Sequence, residues 1–233
     1  MPKAIADLPV CILAGGLGKR LGPLTASTPK PMMRVDGKPF LELQMRHFAG
    51  LGFTRFVLAV SFCWEQIRDY FADGAAFGWT VQYSIEPQSL GTGGAVALAQ
   101  PLWGERALVT NGDTFLAEDW RQMIAAHQVS GLPATLALAW QNDCSRYGRV
   151  EIAGGRVTQF IEKGNRPDAG WVNAGTYVIE RQALAKHAPG TAFSLETDLF
   201  PQWIGQLGAY QCQLPFTDIG TPESLEAFRQ THG

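Results

Sequence analysis

The sequence predicts an α/β fold in which a mostly parallel, mixed sheet carries helices on both faces. Short apolar runs of strand length alternate with stretches of helical periodicity as far as residue 113, which is the pattern of βαβ units. The runs at 10–13, 55–60 and 106–110 are apolar along most of their length, as is typical of strands buried on both faces. Glycine-containing loops follow the first and the last of these runs.

The other elements of the N-terminal half follow from periodicity and from turn residues. Leu41, Met45 and Phe48 recur at helical spacing, and this pattern predicts a helix between Pro39 and Gly50. The remaining predicted elements here are a strand at 32–35, a helix at 64–71, a strand at 79–84 and a short helix at 95–99.

The second half of the chain is less regular in its pattern. Its predicted elements are a helix at 120–129, a strand at 134–140, a hairpin at 148–161, a strand at 171–179, helical segments at 181–186 and 195–203, a strand at 210–214 and a final helix that Thr221 caps and Pro222 begins. Because no linker, repeat or low-complexity segment interrupts the chain, we expect residues 1–233 to form a single domain.

Composition excludes several classes of protein. A net charge of −2 argues against non-specific binding to nucleic acid or to a membrane surface, so any phosphate site must be local. No run approaches the ~20 apolar residues of a membrane-spanning helix. Cys11, Cys63, Cys144 and Cys212 stand singly, without a metal-binding spacing, and are expected to be reduced thiols of a cytoplasmic protein.

A glycine-rich loop with cationic residues follows the first strand, and a second cationic segment lies a short way downstream. Gly15, Gly16 and Gly18 allow positive φ and a close approach of backbone N–H groups to a ligand. Lys19, Arg20 and, further on, the lysine of the PKP sequence add positive charge. These features predict a polyphosphate ligand.

Two familiar phosphate-binding motifs do not fit this loop. The dinucleotide pattern G-x-G-x-x-G matches Gly16 and Gly18 but then meets Leu21, which argues against a nicotinamide oxidoreductase. The phosphate loop G-x-x-x-x-G-K-[ST] requires a glycine where Leu13 stands and a serine or threonine where Arg20 stands.

Two further loops are expected to line the same crevice as the first. A second glycine-rich loop covers 86–94, and Asn-Gly-Asp at 111–113 ends a buried strand. Ligands of parallel sheets bind beyond the carboxyl ends of the strands, where all three loops lie. Asp113 has no packing role at the end of such a strand, although Asn-Gly-Asp is also a common turn. Asp218 follows a later strand, where a helix-capping role is the alternative.

The order of motifs along the chain carries a resemblance to a known family. From Leu13 to Pro222 the chain contains, in order, GGLGKR, PKP, EPQSLGTGGA, NGD, RYGRV, IEK, NAGTY and DIGTPE. This series resembles that of the sugar-1-phosphate nucleotidyltransferases. The resemblance implies the Rossmann-like nucleotide-diphospho-sugar transferase fold, with a nucleotide-binding half at about 9–130 and a sugar-phosphate half at about 131–233. It also implies that a nucleoside triphosphate and a sugar 1-phosphate react with the help of Mg²⁺.

The resemblance also implies roles for individual residues. The implied catalytic residues are Arg20, Lys30 and Asp113, and the implied metal ligands are Asp113 and Asp218. The nucleotide-binding residues are Leu13, Ala14, Gly15, Gly16, Gly18, Lys19, Glu86, Leu90, Gly91, Thr92, Gly93, Asn111 and Gly112. The sugar-phosphate side comprises Tyr147, Gly148, Glu162, Lys163, Asn173 and Gly175.

Within this family the chain looks most like the D-glycero-α-D-manno-heptose 1-phosphate guanylyltransferases, which makes GTP the expected nucleotide. Three alternatives stay open from the sequence. They are a mannose-1-phosphate guanylyltransferase, a uridylyltransferase acting on an amino-sugar 1-phosphate, and a catalytically inactive nucleotide-sugar sensor. The oligomeric state is not predicted.

Overall fold

The computed structural model describes residues 5–16, 18, 21, 25, 27–162 and 168–232. The strands are β1 (Val10–Leu13), β2 (Arg34–Val35), β3 (Lys38–Pro39), β4 (Arg55–Val60), β5 (Thr80–Ile85), β6 (Arg106–Asn111), β7 (Thr114–Phe115), β8 (Ala134–Gln141), β9 (Arg149–Ala153), β10 (Arg156–Ile161), β11 (Gly170–Glu180), β12 (Leu207–Gln211) and β13 (Thr217–Asp218). The α-helices are α1 (Phe40–Gly50), α2 (Trp64–Phe71), α3 (Gly91–Ala99), α4 (Trp120–Ser130) and α5 (Pro222–His232).

A nine-stranded sheet in the order β5-β4-β1-β6-β11-β8-β12-β10-β9 forms the centre of the molecule. Strands β5, β4, β1 and β6 are parallel, and β12 is parallel to β8. Only β11 and β10 run against the other strands of this sheet. The predicted mixed, mostly parallel sheet is therefore confirmed.

The connectivity places a crevice at the end of β1. The chain leaves β1 toward β4 and β5 on one side and returns through β6 on the other side. Neighbouring strands whose connections leave in opposite directions create a gap beyond their carboxyl ends. The first glycine-rich loop follows β1, and Asn-Gly-Asp follows β6, so both border this gap.

Alternation along the strands builds a separate hydrophobic layer on each face of the sheet. Val10 and Ile12 of β1 pack in one layer with α1, α2 and α4, whereas Cys11 faces the other layer with α3. Helices thus cover both faces, as predicted. The four cysteines are unpaired thiols, three of them buried. No helix in the described ranges has the length and hydrophobicity needed to cross a bilayer.

Several predicted boundaries were wrong, and each has a local cause. A 3-10 turn at Lys30–Met32 replaces the start of the strand predicted at 32–35, and α3 begins at Gly91 instead of residue 95. The last strand of the large sheet is β12, several residues before the predicted 210–214. Glycine is unusual inside a strand, so Gly208 argued against a strand at this point of the sequence. The structure requires glycine there, because a Cβ at residue 208 would lie 2.5 Å from Oγ1 of Thr135.

Of the two helical segments predicted at 181–186 and 195–203, the first is shorter than expected, and the second has the predicted bounds without α-helical geometry. A 3-10 turn at Arg181–Leu184 replaces the first segment. The second consists of a π-helical turn at Leu195–Leu199 followed by a 3-10 turn at Phe200–Trp203.

Candidate active site

A cleft of about 260 Å³ lies beyond the carboxyl ends of β1 and β6, and we call it the β1–β6 cleft. The three loops singled out in the sequence converge there, as predicted. Its lining residues are Leu13, Gly15, Gly16, Lys30, Pro31, Glu86, Ser89, Gly91, Thr92, Ala95, Asn111, Gly112 and Asp113.

Some predicted nucleotide-binding residues do not line this cleft. Ala14, Leu90 and Gly93 are buried beneath it, and Gly18 packs so closely on Thr25 that a Cβ there would lie 2.9 Å from a methyl carbon. The predictions for Lys19, Arg20 and Lys163 concern positions outside the described residues.

A second cavity of about 240 Å³ adjoins the first, and we call it the Asp218 pocket. Asn111 and Asp113 line both cavities. The other lining residues are Thr114, Arg146, Tyr147, Asn173, Gly175, Phe216 and Asp218. Tyr147, Asn173 and Gly175 of the predicted sugar-phosphate set are thus brought together, whereas Gly148 and Glu162 are exposed and lie outside this lining.

Lys30 and Asp113 form an ion pair where the two cavities meet. The Nζ atom of Lys30 lies 2.5 Å from Oδ2 of Asp113, and the exposed fractions of the two side chains are 7% and 34%. A buried ammonium group requires a partner, and Asp113 provides it. Because Asp113 stays partly open to both cavities, an anion that enters the cleft meets a lysine already held in position.

A short antiparallel ladder brings Asp218 to the opposite side of the same pocket. Strand β13 pairs with β7 so that Asp218 is opposite Thr114, and the N–H group of Ile219 donates to the carbonyl of Asp113 at 2.9 Å. The Asp218 carboxylate accepts from the Tyr147 hydroxyl at 2.5 Å and from the N–H group of Gly220 at 2.8 Å. Two carboxylates that are distant in sequence therefore face one pocket.

This arrangement fits a magnesium ion that takes the rest of its ligands from outside the protein. Within the described residues, no group of three or more His, Cys, Asp or Glu side chains could hold a metal alone. Magnesium, however, commonly takes one or two carboxylates and completes its shell with water and phosphate oxygens. Asp113 and Asp218 supply such a partial set.

A buried glutamine, which sequence reasoning missed, holds the loop that carries Asp113. Gln44 on α1 is 3% exposed, and its Nε2 donates to the carbonyls of Asn111 and Thr114, both at 2.8 Å. Its Oε1 is buried without a hydrogen-bond partner among the described residues. The available signal was a polar side chain on the otherwise apolar face of a helix between Leu41 and Met45.

Arg146 is a second residue that the sequence reasoning passed over. Its guanidinium lies 3.7 Å from Oδ2 of Asp218 and 5.7 Å from the centre of the Tyr147 ring. The side chain is about half exposed and lines the Asp218 pocket. It offers that pocket planar donors of the kind that bind phosphate in a bidentate manner.

The second glycine-rich loop is shaped by its contact with Phe193. The N–H groups of Gly93 and Gly94 donate to the Phe193 carbonyl at 3.0 and 3.1 Å, and the Phe193 N–H donates to Leu90. A Cβ at Gly93 would lie 2.2 Å from the Phe193 ring. These two glycines therefore permit close packing of the 193 segment, and their N–H groups are already used within the protein.

Glu86 places a carboxylate on the wall of the β1–β6 cleft. Its Oε2 accepts from the Leu90 N–H at 3.1 Å, and its Oε1 would be 2.8 Å from a Cβ at Gly15. Burial raises the pKa of Glu86, and the Leu90 hydrogen bond opposes this shift. A glycine at 15 thus makes room for a fixed acidic group in the cleft.

Comparison with known proteins identifies the family. The sequence model described as Nucleotidyl transferase matches residues 10–232. The chain belongs to this family. Its fold agrees with a solved structure of HddC from Yersinia pseudotuberculosis complexed with GMP-PN, with a TM-score of 0.86, 31% identity, and coverage of 97% of this chain and 100% of the other. A structure of a putative glucose-1-phosphate thymidylyltransferase from Bacillus anthracis shares the fold at 22% identity and a TM-score of 0.84, and covers 96% and 94% of the two chains.

Relatives in this nucleotidyl transferase family share about a third of the sequence. A D-glycero-α-D-manno-heptose 1-phosphate guanylyltransferase from Aneurinibacillus thermoaerophilus is 34% identical and covers 91% of this chain and 93% of its own length. A mannose-1-phosphate guanylyltransferase from Mycobacterium tuberculosis is also 34% identical over 92% of this chain, which spans only 61% of that relative. The family resemblance inferred from the motifs is confirmed.

Proposed function

We propose that this protein transfers a guanylyl group from GTP to a sugar 1-phosphate and releases pyrophosphate. D-glycero-α-D-manno-heptose 1-phosphate is the proposed acceptor. The observation that carries the proposal is the junction of two cavities at Asp113, beside the ammonium group of Lys30. Two phosphorylated substrates in these cavities would bring their phosphates together at that point. The heptose guanylyltransferase from Aneurinibacillus thermoaerophilus, which this chain covers almost completely, supports the choice of acceptor.

The reaction requires alignment and charge neutralisation more than covalent catalysis. An oxygen of the sugar phosphate forms a bond to the α-phosphorus of GTP while the bond from that phosphorus to the β-phosphate bridging oxygen breaks. Lys30 would neutralise charge on the triphosphate, and Arg146 would hold the acceptor phosphate in the Asp218 pocket. Arg20 remains a proposed triphosphate ligand on the ground of its motif.

Asp113 and Asp218 would hold Mg²⁺ in this proposal. When bound, the ion supplies Lewis-acid neutralisation of phosphate charge. The chain's own part is to fix the two carboxylates through the β7–β13 ladder and through the hydrogen bond from Tyr147.

Glu86 supports guanine as the base. The edge of guanine presents two neighbouring donors, N1–H and the N2 amino group, which match a carboxylate acceptor. Uracil presents one N–H between two carbonyl oxygens, and an ionised carboxylate would repel these oxygens. Glu86 is held at the cleft wall with acceptor capacity beyond its bond from Leu90.

Mannose 1-phosphate is the alternative acceptor. It is favoured by the relative from Mycobacterium tuberculosis, whose identity to this chain equals that of the heptose enzyme. The two acceptors share the manno configuration, so the same ring hydroxyls would face the pocket.

The test is pyrophosphate release measured for GTP, ATP, UTP and CTP against heptose, mannose, glucose and N-acetylglucosamine 1-phosphates. We expect GTP with the manno-configured acceptors to give the highest kcat/KM. Glu86→Gln should lower kcat/KM for GTP by about tenfold or more, because the amide nitrogen would face a guanine donor. Preference for another nucleotide would refute the guanylyl assignment, and no release with any pair would refute the function as a whole.

A further inference from the structure

Glu196 lines neither cavity, yet it is hydrogen-bonded to residues of the nucleotide side. Its Oε2 accepts from the hydroxyl of Thr92 at 2.5 Å and from that of Ser194 at 2.8 Å. Thr92 is part of the β1–β6 cleft at the start of α3. The Glu196 carboxylate therefore holds one wall residue of that cleft directly.

The other oxygen of Glu196 leads toward the acceptor side. Its Oε1 accepts from the Tyr177 hydroxyl at 3.1 Å, and this hydroxyl in turn accepts from Nδ2 of Asn173 at 2.9 Å. Asn173 lines the Asp218 pocket. Burial raises the pKa of Tyr177 well above its ordinary value, so the hydroxyl keeps the proton that it donates to Glu196.

The backbone around Glu196 is fixed to the same glycine-rich loop. The Leu195 N–H donates to Oγ1 of Thr92 at 2.9 Å, and the Phe193 carbonyl accepts from Gly93 and Gly94. Several hydrogen bonds join the 193–196 segment to the start of α3. A movement of either one would therefore also move the Glu196 side chain. A continuous chain of hydrogen bonds thus runs from Thr92 to Asn173.

We propose that Glu196 is a positioning residue that couples the nucleotide cleft to the acceptor pocket, through Thr92 on one side and Tyr177 and Asn173 on the other. The inference rests on the proposed function. A nucleotide that orders Thr92 restrains Glu196, which restrains Tyr177 and so orients the Asn173 amide toward the sugar. Binding of one substrate thereby prepares the site for the other.

The test asks whether a change in the nucleotide cleft alters the KM of the sugar 1-phosphate. Both KM values are measured by steady-state pyrophosphate release, with each substrate varied while the other is saturating. Thr92→Val keeps the shape of the side chain and removes its hydroxyl. It should raise the KM of the sugar 1-phosphate about tenfold, as is typical of residues in one hydrogen-bond network, even though Thr92 lies in the nucleotide cleft. Thr92→Ser, which keeps the hydroxyl, should restore that KM.

The coupling should disappear when the Tyr177 hydroxyl, which lies in the middle of the hydrogen-bond network, is removed. In a Tyr177→Phe background, Thr92→Val should produce no further rise in the sugar 1-phosphate KM. Thr197→Val is the matched control, because its exposed hydroxyl lies on the same turn and bonds only to Asp198 in the described structure. It should leave both KM values unchanged.

Three results would overturn the inference while the wild-type protein remains active. These are an unchanged sugar 1-phosphate KM in Thr92→Val, the same rise with and without the Tyr177 hydroxyl, and an equal rise in Thr197→Val. If Thr92→Val does not fold, as judged by thermal melting, Glu196→Gln takes its place and should raise the KM of both substrates. A wild-type protein without turnover would instead refute the proposed function and, with it, this inference.

Discussion

Replacing Gln44 with leucine should reduce the turnover of the folded protein by loosening the loop that carries Asp113. The substitution removes two hydrogen bonds to the carbonyls of Asn111 and Thr114, worth about 0.5–1.5 kcal/mol each. It also removes the unpartnered Oε1, whose burial costs about 1–3 kcal/mol. The loss of Oε1 offsets part of this cost, but the carbonyls of Asn111 and Thr114 lose their Gln44 donor, so we expect the free energy of unfolding to fall by about 1–3 kcal/mol.

The effect on turnover has a different origin. The two lost bonds flank Asp113, so the loop that carries its carboxylate would be free to shift. A displacement of about 1 Å in a catalytic group can cost about a hundredfold in rate, so we expect kcat to fall by about ten- to a hundredfold. The measurement is kcat from pyrophosphate release, together with the free energy of unfolding from urea titration.

Gln66→Leu is the matched control, since Gln66 donates to the carbonyl of Ser27 from an exposed position. It should leave both quantities close to those of the wild type. If Gln44→Leu retained wild-type kcat, or lost activity only in proportion to its unfolded fraction, the positioning role of Gln44 would be wrong.

Three further changes probe the proposed metal ligand Asp113, the glycine contact and a buried histidine. Asp113→Asn should lower kcat by about a thousandfold in protein that still folds, and it should also lower the melting temperature because the buried Lys30 loses its charged partner. Full activity in magnesium would contradict the proposed role of Asp113. Gly93→Ala should destabilise the protein by about 1–3 kcal/mol in urea titration, because the new methyl group meets the Phe193 ring. Burial lowers the pKa of His127, so the unfolded chain binds the proton first and stability should fall as pH drops below about 6.5. The loss of stability should stop once the pH is below the pKa of His127 in the folded protein. In urea titrations from pH 5 to 8, His127→Gln should reduce the dependence of the free energy of unfolding on pH. An unchanged dependence would show that another group is responsible.

The parts of the structure that depend on local pattern were predictable. The strands at 10–13 and 55–60 and the helix at 64–71 have the predicted bounds, because apolar runs and turn residues define them. The convergence of three loops at one crevice followed from the rule for parallel sheets, which needs only the order of strands and helices.

The parts that depend on distant contacts were not predictable from pattern. Nothing near Gly93 indicates that Phe193 will pack on it, and nothing near Gln44 indicates that its amide will meet the carbonyl groups of Asn111 and Thr114. The position of β11 between β6 and β8 is likewise set by pairings between residues far apart in sequence. These contacts decide the geometry of the site.

The β7–β13 ladder has a consequence for the order in which the protein is made. During synthesis the ribosome releases β1, β6 and Asp113 long before β13, since more than one hundred residues separate Asp113 from Asp218. A nascent chain that ends before β13 therefore carries the Asp113 carboxylate without the strand that pairs with β7. The Asp218 carboxylate emerges only after β8, β11 and β12, so a chain truncated before residue 218 cannot contain the complete pocket.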